Sequence, residues 1–376
     1  MIRWRSATVT ALGRSWPGSQ ELTARLEDGE EVRALAHPAL VGTPAPGVRV
    51  LLNTSAQARG LGTGGYALVV ALPDALPADP PPGPGHLVKA RYTPLQAMVL
   101  GVDEQESAVH ELLRDADDLA GMPVVVADLH SALPAVVAGL RADAPGARVA
   151  YVMTDGGALP AAFSRTVAGL RAAGWLAACV TTGQAFGGDL EAATVHTGLL
   201  AARLVAGADV AVVAQGPGNL GTGSRWGFSG VAAGEALNAA AVLGGRPVAA
   251  LRVSQADPRP RHRGLSHHSA TAVGRVALLP CDVPVPAGDD AFTAGVRGQA
   301  AQLCTPAGRH RLVHVPTDGL DAALADCPVG LSTMGRGLAE DRASFLAAAV
   351  AGRHAAGLLH AGAGAVAGAG DDDTPR

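Results

Sequence analysis

Val210-Ala211-Val212-Val213-Ala214-Gln215-Gly216-Pro217-Gly218-Asn219-Leu220-Gly221 is the stretch that decides the fold. An apolar run without polar interruption suits a strand covered on both faces, as in a parallel sheet. The glycines that follow let the chain turn at once. The same order recurs along the chain. The run 124–127 leads into Asp128-Leu129-His130-Ser131, and 149–153 into Thr154-Asp155-Gly156-Gly157. The run 177–180 leads into Thr181-Thr182-Gly183-Gln184, ending at Asp189, and 248–253 into Ser254-Gln255-Ala256-Asp257. Helical stretches lie between them. In 160–173, Phe163, Val167 and Leu170 recur at helical spacing, and Gly174 fits the C-terminal cap. The alternation predicts an α/β domain with a mainly parallel, Rossmann-like sheet.

Outward from that core the pattern changes. Residues 7–12, 21–26, 32–36, 48–53 and 66–71 are short, partly alternating runs, with Asp28-Gly29 as a hairpin signal. They predict a small all-β, barrel-like domain over 1–88. It ends in the Pro/Gly linker around Pro80-Pro81-Pro82-Gly83-Pro84-Gly85. The α/β domain is then 89–334. A C-terminal helix is expected over 335–361, with Leu338, Phe345, Leu346 and Val350 on its apolar side. A disordered tail is expected over 362–376.

Composition narrows the function classes. The 376 residues carry 29 basic and 33 acidic side chains, a net charge of −4, with 48% hydrophobic residues. That balance suits a globular chain and argues against nucleic-acid binding or a polybasic membrane anchor. No uncharged apolar run reaches the length of a membrane span, and the start Met1-Ile2-Arg3-Trp4-Arg5 lacks a signal core. Four scattered cysteines without a paired spacing read as thiols of a cytoplasmic protein. A homo-oligomer is compatible with all of this.

In an open α/β sheet the ligand crevice lies outside the carboxyl ends of the strands. Every polar segment quoted above is predicted there. Gly216, Gly218 and Gly221 fit G-x-G-x-x-G, and the loop 216–223, with Asn219 and Thr222, can offer backbone N–H groups to an anion. It lacks the acid of a dinucleotide fold at the usual distance and the lysine of a P-loop, so no cofactor is assigned. A plain tight turn is the structural alternative. The densest segment is Asp257-Pro258-Arg259-Pro260-Arg261-His262-Arg263-Gly264-Leu265-Ser266-His267-His268. Arg259, Arg261 and Arg263 alternate and can converge on an anion. Ser266 fits an N-cap, placing His267 and His268 in a first helical turn. There a neutral imidazole can serve as base or metal ligand. Asp257, His262 and His267 are the metal candidates, although their spacing matches no zinc motif. The alternative is a solvated basic loop.

Three further positions stand out. Asp155 is a ligand-facing carboxylate or a turn residue. Asp189, beside Gly183 in one loop, is a ligand contact or the cap of the helix that follows. Lys89 is the single lysine among the basic residues. A role that demands a compact ammonium would explain its survival, and chance is the alternative. As a functional residue it would face the crevice or the joint between the domains, and Lys89→Arg would spare stability but not binding.

The segments Leu51-Leu52-Asn53-Thr54, 60–66, Lys89-Ala90-Arg91-Tyr92-Thr93-Pro94-Leu95-Gln96, 154–160, 183–189, 216–230 and 259–269 agree in order with one bacterial, largely actinobacterial family. Over most of residues 1–285 the chain resembles this family, domain of unknown function 3866. The resemblance implies no reaction, substrate or catalytic residue.

The leading functional reading is a cytoplasmic enzyme acting on a small anionic metabolite, such as a phosphorylated one. In it the loop 216–223 and the three arginines hold the anion, and Asp155, His267, His268 and Lys89 are the catalytic candidates. One alternative is a metabolite-binding or regulatory protein without catalysis. Another is a metal-dependent hydrolase built on Asp155, Asp257, His262, His267 and His268.

Overall fold

The computed structural model describes residues 1–61, 64–304 and 308–367, with backbone alone for 361–367. Strands Trp4–Trp16, Ser19–Leu26, Glu31–Ala36, Arg49–Asn53 and Ala67–Ala71 form a closed barrel. All five match the expected runs. Four pairings are antiparallel, and the barrel closes through a parallel pair, Ala34 with Ala67 and Leu35 with Leu68. Alternate residues such as Val9, Leu22, Ala24, Leu52 and Val69 point inward and form its core. Asp28-Gly29 turns the predicted hairpin, with Gly29 at φ 91° and the Asp28 carboxylate accepting from Glu30 N at 3.1 Å. The loop 60–65 lies partly outside the described residues at Gly62 and Thr63.

Residues 73–84 are exposed and carry neither strand nor helix. A short ribbon follows, Leu87–Lys89 against Ala97–Val99. Then comes an eight-stranded sheet. Across it the order is Leu190–Glu191, Ala178–Thr181, Val149–Thr154, Val210–Gln215, Pro123–Ala127, Arg246–Ala250, Asp282–Pro286 and Arg311–Val315. Every pairing in it is parallel. The fold is therefore the predicted barrel followed by a Rossmann-like α/β sheet.

The strands are buried on both faces because helices cover both. Val124 and Val126 face a core shared with helices Val195–Leu204, Ala232–Val242 and Ala291–Cys304. Val125 and Ala127 face the opposite core, with helices Leu133–Asp143, Arg165–Ala172 and Arg342–Ala367. On that side two helices touch backbone to backbone. A Cβ on Gly139 would sit 2.0 Å from Ala349 O, and one on Gly352 would sit 1.9 Å from Val136 O. Only glycine permits this approach.

Several expected bounds shift. The run 248–253 leaves the sheet at Ala250, because its partner strand ends there, at Ala127. Val253–Ser254 instead pairs with Gly264–Leu265 in a separate ribbon. Strands Asp282–Pro286 and Arg311–Val315 were not anticipated. Prolines in the first, and Arg311 and His314 in the second, mask the apolar signal. The helix expected from 160 starts at Arg165, where Ser164 caps it by accepting from Val167 N. Its C-terminal Gly174 has φ 68°, as the sequence suggests. The C-terminal helix begins at Arg342 rather than 335, since Ser332–Thr333 and Arg336–Gly337 form a hairpin first. Its backbone continues to Ala367, and 368–376, most of the expected tail, lie outside the described residues. Among the described residues no helix is long and apolar enough to cross a membrane.

Strand connectivity opens crevices along the carboxyl edge, because the helices after Pro123–Ala127 and Val149–Thr154 pack on one face and those after Ala178–Thr181 and Val210–Gln215 on the other. Strands Pro123–Ala127 and Val210–Gln215 are neighbours, yet the helices that follow them cover opposite faces. Their outgoing loops must diverge and leave a gap at the carboxyl edge. This is a topological switch point of the kind at which open α/β sheets bind ligands.

Candidate functional site

The gap is a cleft of about 470 Å³. Leu129, His130 and Ser131 from the first diverging loop line one side, and Pro217, Gly218, Asn219 and Gly221 from the second line the other. Arg252, Arg261, His262 and His268 close it from the next crossover. The loops are held by close backbone packing. A Cβ on Gly157 would lie 2.1 Å from Gly216 O, so the loop after 154 rides directly on the loop after 215. Asn219 fixes its own loop by accepting from Gln215 Nε2 at 3.0 Å and Ser229 Oγ at 3.0 Å. Gly216, Leu220 and Thr222 donate their backbone N–H groups to Thr154 O, Ser229 Oγ and Gly227 O. Those amides of the anticipated cradle are thus engaged inside the protein. Gly218, Asn219 and Gly221 present the loop to the cleft.

The histidines are built as the sequence suggests. Ser266 caps the short helix His267–Thr271, accepting from His268 N at 3.2 Å. Ser266 Oγ also lies 2.8 Å from His262 Nδ1. The ring centroids of His262, His267 and His268 are 4.4–4.9 Å apart. His268 stacks on Phe228 at 3.8 Å. Burial pushes the His262 imidazolium down to about 3, helped by the neighbouring charges of Arg252 and Arg259. Burial also lowers His267, with His268 and Arg261 adding to it. Behind His268, Arg252 Nη1 donates to its Nδ1 at 2.9 Å, and Asp128 Oδ2 stands 3.5 Å from that nitrogen.

The arginines divide into distinct roles. Arg259 forms a bidentate pair with Asp257 at 2.9 and 2.8 Å, and Arg336 adds a contact at 3.3 Å. The Arg259 hydrogen bonds hold the Asp257 carboxyl well below the usual range. Arg261 is exposed on the cleft wall, and among the described residues no carboxylate lies in ion-pair range of it. Arg263 is exposed and outside the cleft lining.

The remaining candidates lie elsewhere along the edge. Asp155 accepts from Gln184 N at 2.8 Å and borders a second, more apolar cleft of about 550 Å³ against the barrel. Gly183, with φ 63°, packs on that carboxylate; a Cβ there would be 2.3 Å from Asp155 Oδ2. Asp189 does not cap the next helix, which Thr194 caps. It accepts instead from Arg171 Nη2 and Cys179 N, both at 2.7 Å. Lys89 is 1% exposed. Its ammonium donates to Ala185 O and Ala192 O at 2.9 Å each and lies 3.5 Å from Glu191 Oε2. Three acceptors around a compact head explain why arginine does not stand here. The residue lines neither cleft. This burial argues against the expectation that Lys89→Arg spares stability, since a larger planar fork would have to fit where the ammonium sits.

Sequence reasoning passed over Arg252, which lay inside an assumed strand, and Asp128 and His130, which looked like turn residues. His130 is buried and held at about 4 by desolvation. Its Nε2 meets Ser164 Oγ at 2.8 Å and its Nδ1 meets Tyr151 OH at 3.1 Å. The Tyr151 hydroxyl donates to Ala214 O and Gln215 O, so it accepts from Nδ1–H, and Nε2 accepts from Ser164.

Residues 33–352 match the family model described as protein of unknown function (DUF3866). The chain belongs to the DUF3866 family. The match begins within the third barrel strand and takes in the last two barrel strands, the whole parallel sheet and both clefts, so the switch-point site lies inside the DUF3866 region. No curated protein and no solved structure matches the chain.

Proposed function

We propose that this DUF3866 protein is a cytoplasmic enzyme that binds a small anionic metabolite, such as a phosphorylated one, in the switch-point cleft. One observation carries the reading. An arginine without a carboxylate partner, Arg261, faces the same cleft as His262 and His268, with His267 packed against both. The cation supplies charge-assisted hydrogen bonds to an anion. A histidine held neutral at physiological pH, as His262 is, supplies an acceptor for a proton or a lone pair for a metal. Gly218, Asn219 and Gly221 form the opposite wall. Arg259 and Asp257 shape the site by pairing with each other, and Asp155, Asp189 and Lys89 stand outside it as supports of the edge.

Native mass spectrometry of freshly purified protein tests the reading by identifying a co-purified small molecule. Arg261→Ala should then weaken that molecule's binding by about 1–3 kcal/mol in calorimetry, the range for a lost charge-assisted hydrogen bond. Unchanged affinity would remove Arg261 and the cleft from the reading. Recovery of the molecule chemically intact after long incubation with protein and candidate co-reactants would place the chain among metabolite-binding or regulatory proteins.

A further inference from the structure

The imidazoles of His262 and His268 on the cleft wall, and of His267 packed against both, are closer than solvated side chains need to be. One ring nitrogen of each of His262, His267 and His268 lies within 4.8 Å of one from each of the others. His267 Nε2 is buried and has no hydrogen-bond partner. Leaving a buried polar atom unpaired costs roughly 1–3 kcal/mol, so it calls for an explanation. A second such atom, Asp128 Oδ2, stands behind His268. Both would be satisfied by one ligand that takes lone pairs from the rings.

We propose that His262, His267 and His268 together bind one divalent transition-metal ion of the zinc class. Imidazole nitrogen suits zinc, copper, nickel and iron rather than calcium or magnesium. Zinc sits about 2.0–2.1 Å from each imidazole nitrogen, so its ligand atoms are roughly 3.4 Å apart in a tetrahedron. Loading therefore draws the rings inward from their present spread. His268 must also change its hydrogen bonding if it binds through Nε2. Its Nδ1 now accepts from Arg252, whereas an Nε2-bound ring carries its proton on Nδ1 and donates it to the waiting Asp128 carboxylate.

This revises the ligand set read from sequence. Asp257 is not a ligand, because Arg259 and Arg336 occupy both its oxygens, and His268 takes its place. The local cations do not forbid the ion. Asp257 meets Arg259, and Asp128 lies 3.7 Å from Arg252. Arg261 is left over. A small anion that bridges the ion and Arg261 would satisfy both, which joins the metal to the proposed metabolite.

The test uses the full chain carrying no histidine tag, stripped with chelator and titrated with Zn²⁺ alone by calorimetry. One ion per chain with a Kd below about 10 µM is expected. His267→Ala should bind at least about tenfold more weakly, as loss of a ligand or even of its supporting shell typically costs that much. His196→Ala, an exposed histidine outside the cleft, should bind as the parent does. Weaker parental binding than that limit, or unchanged affinity in His267→Ala, overturns the proposal. Should His267→Ala fail to fold, the visible spectrum of the Co²⁺-loaded parent decides. A tetrahedral nitrogen-ligand spectrum supports the site, and the spectrum of hydrated Co²⁺ overturns it. No organic ligand enters these measurements, so their failure leaves the anion-binding reading standing, and the converse holds.

Discussion

The two halves of the sheet's carboxyl edge are built from the same kinds of residue and treat them oppositely. Beside the barrel, Asp155, Asp189, Glu191 and Lys89 all find partners within the protein. At the switch point, Asp128 Oδ2, Gln215 Oε1 and His267 Nε2 are buried without a hydrogen bond. Polar groups that complete each other's hydrogen bonds stabilise a fold. Polar groups left incomplete at a cleft are available to a ligand. The comparison therefore assigns architecture to the first half and chemistry to the second, although both look alike as sequence.

The largest effect should come from the completed half. Lys89→Ala leaves the Glu191 carboxylate buried without its cation, and about 3–5 kcal/mol of stability should be lost in urea unfolding. A loss below about 1 kcal/mol would show that the pair is dispensable and break the comparison. His130 comes next and sharpens it, because it belongs to the cleft by position and to the completed half by bonding. Its pKa is about 4 in the fold against an ordinary value near 6.5. The unfolded chain therefore takes up the proton first as pH falls. The stabilisation is full above pH ~6.5 and lost as pH drops toward ~4, by up to about 3 kcal/mol. Unfolding midpoints measured at pH 7 and pH 5 should show that decline, and His130→Asn should flatten it.

Smaller effects test the two halves directly. Asp189→Asn removes a half-exposed ion pair with Arg171 and weakens an acceptor for Cys179 N, and should cost about 1 kcal/mol in thermal unfolding. His267→Ala should cost no more than ~0.5 kcal/mol of stability, since its Nε2 holds no hydrogen bond to lose. A loss of 2 kcal/mol there would move His267 into the architectural half.

The fold was legible because its strands announce themselves. Residues 149–153 and 210–214 are unbroken apolar runs, and the barrel strands alternate around Asp28-Gly29. Pro284 and Pro286 concealed one strand, since proline reads against a sheet interior. The site was legible in part. The strand-then-glycine order located the edge, and Ser266 placed His267 and His268 correctly. What sequence cannot show is who pairs with whom. Asp155 and Asp257 looked alike as carboxylates, yet the one accepts from a backbone amide and the other is clamped by two arginines. Arg252 stayed hidden because it seemed to continue a strand that has no neighbour beyond Ala250.

The burial of Lys89 gives the molecule an unplanned reporter. It is the chain's lone side-chain amine, and the fold seals it. Amine-directed reagents can acylate it only when the ribbon Leu87–Lys89 lifts from the sheet edge at Glu191. The rate of modification at this one position would therefore clock the opening of that edge, without any probe having to be introduced.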